Sequence, residues 1–228
     1  KCQASDQDQA IMVFEGTYEE GDTLVFETSN TGAFYVIRID DCMDESLVYL
    51  TSPKVVYTIP FNEKKISYKP KCFTGERHYV TMRTAEEYEV TAYRNLAKNV
   101  MDQHGETNCY PHASANVETR GEAVFAARNA IDGVTVNDAH GEWPYESWGI
   151  NRREDANMKL EFGRKVAVSR IRLYTRADFP HDNWWKQVTI RFSDGSEAVV
   201  GEYLRLLRPN AEKPPLRLAG LAQDALYE

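Results

Sequence analysis

The fold class is decided by two neighbouring stretches, DTLVFETS at residues 22–29 and GAFYVIRID at residues 32–40. Apolar and polar residues alternate within both, and this period of two places one side of each stretch in a core and the other in solvent. Val, Ile, Phe and Tyr are common in strands, whereas Asn30 and Gly32, where the two stretches meet, are typical of a turn. The two stretches are therefore predicted to be antiparallel strands.

Five further runs of this kind occur in the first 83 residues, at intervals of about ten residues. They are AIMVFEG (10–16), SLVYLTS (46–52), KVVYTIPF (54–61), KISYKP (65–70) and RHYVTMR (77–83). Short strands at regular spacing, with no helical stretch between them, are typical of an antiparallel sandwich rather than of alternating strands and helices. Residues 1–83 are predicted to form an N-terminal β-sandwich, to which the sequence assigns no role.

The pattern changes to a helical one at TAEEYEVTAYRNLAKN, residues 84–99. Thr84 followed three residues later by Glu87 matches a capping box. Apolar side chains recur at helical spacing along one face, at Tyr88, Ala92, Leu96 and Val100. A connector helix is predicted over residues 84–100.

Strand patterns resume after a polar, turn-rich stretch. They are MKLEFG (158–163), VSRIRLYT (168–175), QVTIRFSD (187–194) and EAVVGEYLRL (197–206). No crossover helix separates them, so residues 101–228 are predicted to form a second all-β domain. The predicted fold is all-β, with two jelly-roll-like β-sandwich domains joined by a short helix.

Four blocks in the second half, in this order, resemble the discoidin family, also called the coagulation factor 5/8 C-type domain. The blocks are ARNAIDG (127–133), the W-x-Y-x-x-W-G of 143–149, MKLEFGRKVAVSRIRLYTRADFP (158–180) and VTIRFSDGS (188–196). The bacterial carbohydrate-binding members of that family are the family-32-like modules. The resemblance implies a galactose-binding-like, lectin-like β-sandwich over about residues 110–228, and it favours a secreted or cell-surface location, although no signal peptide is visible.

The resemblance also implies a structural calcium ion at the Asp-Gly loop of residues 132–133. Calcium takes oxygen ligands from carboxylates and loop carbonyls, which suits such a loop. The implied ligands are Asp132, Asn129 through its backbone, and Asn137 or Asp138. The alternative is an Asx turn without a metal, in which Asp132 bonds its own backbone.

The segment DFPHDNWW, residues 178–185, combines two tryptophans with acids, an amide and a histidine. Sugars have apolar C–H faces ringed by hydroxyls, so a binding site needs an exposed aromatic ring edged by charged or amide groups. Adjacent side chains of an extended backbone point in opposite directions, so one tryptophan is expected in the core and the other in the site. The predicted carbohydrate-binding residues are His140, Trp143, Tyr145, Arg152, Arg176, His181, Asp182, Asn183 and Trp184.

Two other functions fit the same loops. A glycoside-acting enzyme would use Asp178 and Asp182 as paired carboxylates with His181. A protein-interaction or adhesion module would need no such chemistry, and the fold does not separate these functions. The sequence contains no G-x-S-x-G, H-E-x-x-H or glycine-rich phosphate-binding motif, which favours binding of a glycan without catalysis.

Composition narrows the partners. The net charge of −8, without clusters of lysine and arginine, argues against nucleic acid. No apolar run is long enough for a transmembrane helix.

The four cysteines, Cys2, Cys42, Cys72 and Cys109, have no C-x-x-C spacing and are expected as free thiols, although two disulfides in any of three pairings are compatible with the sequence. His104, Cys109 and His112 lie close together, but they lack the paired spacing of a structural zinc site.

Overall fold

The computed structural model describes residues 2–137, 143–175, 185 and 187–201. The elements in chain order are β1 (Gln9–Glu15), β2 (Thr23–Glu27), β3 (Ala33–Arg38), β4 (Ser46–Leu50), β5 (Lys54–Thr58), a 3₁₀ helix (Asn62–Ser67), β6 (Arg77–Thr84), α1 (Glu87–Thr91), β7 (Cys109–Tyr110), β8 (His112–Ala115), three 3₁₀ helices (Thr119–Gly121, Ala123–Phe125 and Ala127–Ala130), β9 (Met158–Glu161), β10 (Gln187–Arg191) and β11 (Glu197–Gly201).

The largest sheet has five antiparallel strands in the order β1-β6-β3-β4-β7. Three two-stranded antiparallel sheets accompany it, β2-β5, β8-β9 and β10-β11. The chain is thus built mostly of antiparallel strands with little helix, as the alternation of apolar and polar residues predicts. None of the described helices is long and apolar enough to cross a bilayer.

One hydrophobic core lies against the five-stranded sheet. In β2 the inward residues Leu24 and Phe26 are buried and their neighbours are exposed, as the alternation predicts. These side chains join Ile37 of β3 and Val48 of β4 in a single cluster, which also includes Cys109 of β7. Each large apolar side chain buried in this way contributes roughly 1.5–3 kcal/mol.

Two of the predicted strands are wrong. Most of KISYKP (65–70) belongs to a turn and to the 3₁₀ helix that begins at Asn62, whose φ is 52°. Asn tolerates the left-handed region, and Pro70 has no amide hydrogen for a sheet. Residues 168–175 form no strand either, because their backbone pairs with no strand among the described residues.

The helix predicted over residues 84–100 is also wrong in length, since α1 contains five residues. Its N-cap is Glu86, and the capping box joins Glu86 to Glu89 instead of Thr84 to Glu87. Beyond α1, the side chain of Asn95 accepts a hydrogen bond from the Ala97 amide. Asx turns of this kind compete with helical hydrogen bonds, and they end the helical pattern early.

The sequence also missed β7 and β8, which lie in the stretch interpreted as a polar domain boundary. They contain only two and four residues, so they leave no alternating pattern. Because β7 pairs with β4, the five-stranded sheet includes chain from both sides of the predicted connector. The ion pair between Lys98 and Asp44, 2.7 Å long, makes a second connection. The division into domains at residues 84–100 stays a prediction.

Among the described lysines and arginines, Arg128 is the most deeply buried and is only 6% exposed. Its Nε donates to the Asp102 carbonyl at 2.7 Å, and its two Nη atoms donate to the Val100 carbonyl and the Asn129 side chain. The guanidinium also lies over the Tyr68 ring, 4.5 Å from the centroid. One side chain therefore joins the N-terminal core, the segment after α1 and the 3₁₀ helix of residues 127–130.

We expect Arg128→Met to lower the free energy of unfolding by about 3–5 kcal/mol, because the buried carbonyls and nearby carboxylates lose the Arg128 guanidinium as a partner. Urea denaturation measures the change. Arg170→Met is the matched control, since Arg170 is exposed and its removal should change stability by less than about 0.5 kcal/mol. Equal effects of the two substitutions would contradict the role given to Arg128.

Candidate functional site

Two tryptophans from distant parts of the chain meet in the C-terminal region. The rings of Trp148 and Trp185 lie edge to face, with centroids 5.8 Å apart and planes at 68°. Trp148 Nε1 donates to the Val117 carbonyl at 2.9 Å, and its ring packs on a small buried cluster that includes Ile131. Trp185 is 36% exposed. Trp185 is therefore a partly exposed indole that packs against Trp148, whose position is fixed by its hydrogen bond and by the small buried cluster.

The chain around Trp148 is held by backbone hydrogen bonds. The amides of Ser147 and Gly149 donate to the carbonyls of Val124 and Phe125, at 2.9 and 3.0 Å. A Cβ atom at position 149 would collide with Thr119 and crowd Phe125, so only glycine allows this close approach. The Trp-Gly pair therefore fixes the indole against the 3₁₀ helices of residues 119–125.

A tight turn follows at residues 150–153. The Arg153 amide donates to the Ile150 carbonyl at 2.9 Å, and the central residues Asn151 and Arg152 have φ values of 49° and 59°. Positive φ at both central positions is the pattern of a type I′ turn. Asn adopts this conformation readily, whereas arginine rarely does. The backbone at Arg152 is therefore strained, and the Arg152 side chain is exposed.

Trp143 and Tyr145 lie on the same loop and are half-buried. Trp143 precedes a cis proline, and Lys69 Nζ lies 5.9 Å from its ring centroid. The Tyr145 amide donates to Glu146 Oε2 at 2.9 Å. Neither ring belongs to the Trp148–Trp185 pair, so the structure does not gather Trp143, Tyr145 and Arg152 around one described pocket.

Most of the other predicted binding residues lie outside the described residues. They are His140, Arg176, His181, Asp182, Asn183 and Trp184, together with Asp178 of the enzyme alternative and Asp138 of the calcium alternative.

Two buried carboxylates occupy the region of the predicted calcium site. Asp132 is 9% exposed and Glu146 is 8% exposed. Burial raises the pKa of Asp132 to about 7, and the charge of Glu146 adds to the rise, while Arg128 and the Val134 amide oppose it. Burial likewise raises the pKa of Glu146. Glu146 Oε1 has no hydrogen-bond partner among the described residues. Both acids are too enclosed to reach a polymeric substrate.

The remaining predicted calcium ligands differ in their availability. The Asn129 side chain is committed, because its amide donates to the Ala123 carbonyl and its oxygen accepts from Arg128. Its backbone carbonyl accepts none of the recorded hydrogen bonds. Asn137 is half-buried. Asp132 Oδ1 accepts from the Val134 amide at 2.8 Å, which is the Asx turn of the alternative interpretation.

Of the residues considered as zinc ligands from the sequence, His112 and His104 have other partners. His112 Nδ1 lies 2.7 Å from Asp102 Oδ1, and both side chains are buried. The hydrogen bond to Asp102 raises the pKa of His112, although burial opposes the rise. His104 is exposed and pairs with Glu118 at 3.2 Å. Cys2, Cys42, Cys72 and Cys109 are free thiols. The described residues contain no cluster of three or more His, Cys, Asp or Glu side chains suited to a metal.

Two clefts lie away from the aromatic loops. One, of about 520 Å³, is at the turn of Gly16 and Glu76 beside β1 and β6. The other, of about 220 Å³, lies between β5 and residues 99–109. Neither contains a tryptophan, and the mouth of the larger is lined by the exposed Glu15–Arg77 ion pair. The Trp148–Trp185 pair is therefore a better candidate for a sugar-binding surface than either cleft.

Sequence reasoning missed the residues whose partners are distant in the chain. Glu146 lies inside the W-x-Y-x-x-W-G block, between residues chosen for their rings, and nothing local marks it as buried. Arg128 lies inside ARNAIDG and carries no local sign of its contact with Tyr68. The apolar residues on both sides of Arg128 could have predicted its burial, because a charged residue within an apolar stretch is often buried together with polar partners.

The comparisons with known proteins give no relative. Neither a family model, nor a curated protein, nor a solved structure matches this chain.

We expect Asp132→Asn to stabilise the protein above pH 7 in the presence of a chelator. Unfolded Asp132 ionises near its usual pKa of 3.8, whereas the folded protein holds the proton up to about pH 7. The folded state therefore binds more protons between these values, so stability falls as the pH rises through that window. The loss is at most about 4 kcal/mol. Asn keeps an acceptor for the Val134 amide and cannot ionise.

Urea unfolding from pH 4 to pH 8 measures this difference. The wild type and Asp132→Asn should converge near pH 4 and diverge toward pH 8, and Asp8→Asn, at an exposed position, is the control. A constant difference across the whole range would show that Asp132 titrates normally.

Proposed function

We propose that the chain binds a carbohydrate, without catalysis, through loops of its C-terminal region. The observation that carries the proposal is the partly exposed indole of Trp185 held against the fixed ring of Trp148. An aromatic face contributes apolar area at low entropic cost, because its position is already set before the ligand arrives. The apolar C–H face of a sugar ring matches such a surface.

The polar edge of the proposed site includes Arg152. It follows Trp148 by four residues, and its strained backbone places a guanidinium in solvent. A guanidinium donates paired hydrogen bonds to neighbouring hydroxyls or to a carboxylate of an acidic sugar. The resemblance to the discoidin family supports the same assignment, since that family's carbohydrate-binding members place ligands in the loops at one end of the domain. His181, Asp182, Asn183 and Trp184, which lie outside the described residues, are proposed binding residues from the sequence alone.

A structural calcium ion is part of the proposal. The residues fit a hard cation in one respect. Asp132 and Glu146 are buried and their negative charges repel each other, and Glu146 Oε1 has no hydrogen-bond partner among the described residues. The nearby Arg128 charge already offsets part of this repulsion. Asp132 and Glu146, with the Asn129 carbonyl, would hold the ion. When bound, calcium supplies positive charge that keeps both carboxyls ionised and the 132–137 loop joined to the Trp148 loop.

We expect Trp185→Ala to abolish binding to glycans that the wild-type protein retains on a glycan array. Losing the aromatic surface should weaken affinity by at least about tenfold, equivalent to about 1.4 kcal/mol. Tyr88→Ala is the matched control, because Tyr88 is an exposed aromatic on α1 and is not one of the residues assigned to binding. Arg152→Gln and Trp184→Ala extend the test to the polar edge and to the second tryptophan.

Retention of full affinity by Trp185→Ala would exclude the aromatic pair as the binding surface. Release of reducing sugar from an array hit would instead favour the glycoside-acting enzyme.

We also expect calcium to raise the melting temperature of the wild type at pH 7.5, since a ligand that binds only the folded state stabilises it by about 2.7 kcal/mol at a hundredfold excess over Kd. Glu146→Gln and Asp132→Asn should lose this response, and the exposed Glu154→Gln should keep it. Magnesium at the same concentration controls for ionic strength. No calcium-dependent shift in the wild type would leave the Asx turn as the correct interpretation of Asp132.

A further inference from the structure

Two arginines from separate loops lie on one aromatic pair of the five-stranded sheet. Phe34 of β3 and Tyr49 of β4 are opposite each other, and their ring centroids are 5.2 Å apart. The guanidinium carbons of Arg94 and Arg164 lie 6.0 and 4.6 Å from the Phe34 centroid, and Arg164 also lies 5.8 Å from Tyr49. The outer face of β3 and β4 is therefore covered by two cations.

The positions of both arginines are fixed by their loops. Arg94 precedes the Asx turn in which Asn95 accepts a hydrogen bond from the Ala97 amide. Arg164 follows Gly163, whose φ is 66° and whose close approach to the Tyr110 ring leaves no room for a Cβ atom. Stacking on the rings further restricts the guanidinium planes. The two side chains are thus held in place before any ligand arrives.

Neither arginine has a counter-charge in the part of the chain that the structure describes. Within the described residues, the Nε atoms of both are buried without a hydrogen-bond partner, and the pair makes one hydrogen bond, from Arg164 Nη1 to the Lys165 carbonyl. By contrast, Arg83 makes two hydrogen bonds of 2.7 Å to Glu89. With 35 acidic residues against 27 basic ones, the sequence does not lack carboxylates to pair with them.

The electrostatics agree with this geometry. Burial lowers the pKa of Arg94, and the charge of Arg164 lowers it further. Burial also lowers the pKa of Arg164, which only Tyr49 opposes. No carboxylate of the described residues stabilises either charge. Like charges that are partly desolvated and have unpaired donors favour a bound anion.

We propose that Arg94 and Arg164 form a binding site for an oxyanion, the carboxylate, sulfate or phosphate group of a ligand, on the outer face of β3 and β4. The planar, forked donors of guanidinium groups match the oxygen pairs of these anions. The site involves none of the residues assigned to carbohydrate binding, so it stands or fails independently of that function.

Calorimetric titration of the full chain tests the proposal with sodium sulfate, sodium phosphate and sodium glucuronate, each in chloride buffer at constant ionic strength. We expect saturable binding of at least one anion by the wild type. Arg94→Gln and Arg164→Gln should each weaken it by about tenfold or more, because each removes charge-assisted hydrogen bonds. Arg170→Gln removes the same charge from an exposed position and should bind as the wild type does.

The pattern across the three anions identifies the ligand's chemistry: a preference for glucuronate indicates a carboxylate ligand, and a preference for phosphate or sulfate indicates an ester of that acid. Arginine Nε–H signals in ¹H–¹⁵N spectra of the wild type give a second measurement that requires no variant. We expect two slowly exchanging Nε–H signals that shift on titration. No saturable binding of any of the three anions, or equal binding by the wild type and both variants, would overturn the proposal.

Discussion

The structure depends on burying one positive charge, that of Arg128, where three parts of the chain meet. Burial alone lowers the pKa of this guanidinium, but Tyr68 and the carboxylates of Asp132 and Asp102 more than compensate, so the charge is retained. A buried ion is tolerated only when its donors are satisfied, and here the Asp102 and Val100 carbonyls and the Asn129 side chain satisfy them. The position of the 127–130 segment relative to the five-stranded sheet follows from this requirement.

Asp102 extends the same network toward the C-terminal strands. Its carbonyl accepts from Arg128, while its carboxylate accepts from the Ala113 amide and faces His112 Nδ1. The start of β8 is thereby fixed to the segment that follows α1. Ala113 of β8 then packs with Ile131 in the small cluster under Trp148. A continuous path of contacts therefore runs from Tyr68 in the N-terminal core to the indole on which Trp185 rests.

The sequence predicts those parts of this architecture that depend on local pattern. Alternation in TLVFET and YVIRI predicts β2 and β3, but only β2 has one buried and one solvated face, since Tyr35, Val36 and Ile37 of β3 are all buried. It fails at residues 65–70, where Tyr68 is buried beneath Arg128 from a turn instead of a strand. Helical spacing fails after Thr91, because asparagine side chains bind backbone amides that a helix needs. For the candidate site, sequence reasoning proposed Trp143, Tyr145, Arg152 and Asp132, and these assignments stay predictions. It did not propose Glu146, whose burial depends on distant segments.

Arg128 lies in a different electrostatic environment from Arg94 and Arg164. The difference distinguishes an arginine that stabilises the fold from the two that are proposed to bind an anion. Arg128 is fully enclosed, and all of its neighbours raise its pKa against burial. Arg94 and Arg164 are less enclosed, yet they have fewer partners and depressed pKa values. If burial alone decided how many hydrogen-bond partners an arginine has, Arg128, the most buried of the three, would have the fewest. The opposite order holds because the fold places three acceptors around Arg128, whereas Arg94 and Arg164 stack on Phe34 and Tyr49, and these rings restrict the guanidiniums without supplying acceptor oxygens. The unpaired donors of these two arginines are the groups that the proposed oxyanion would accept from.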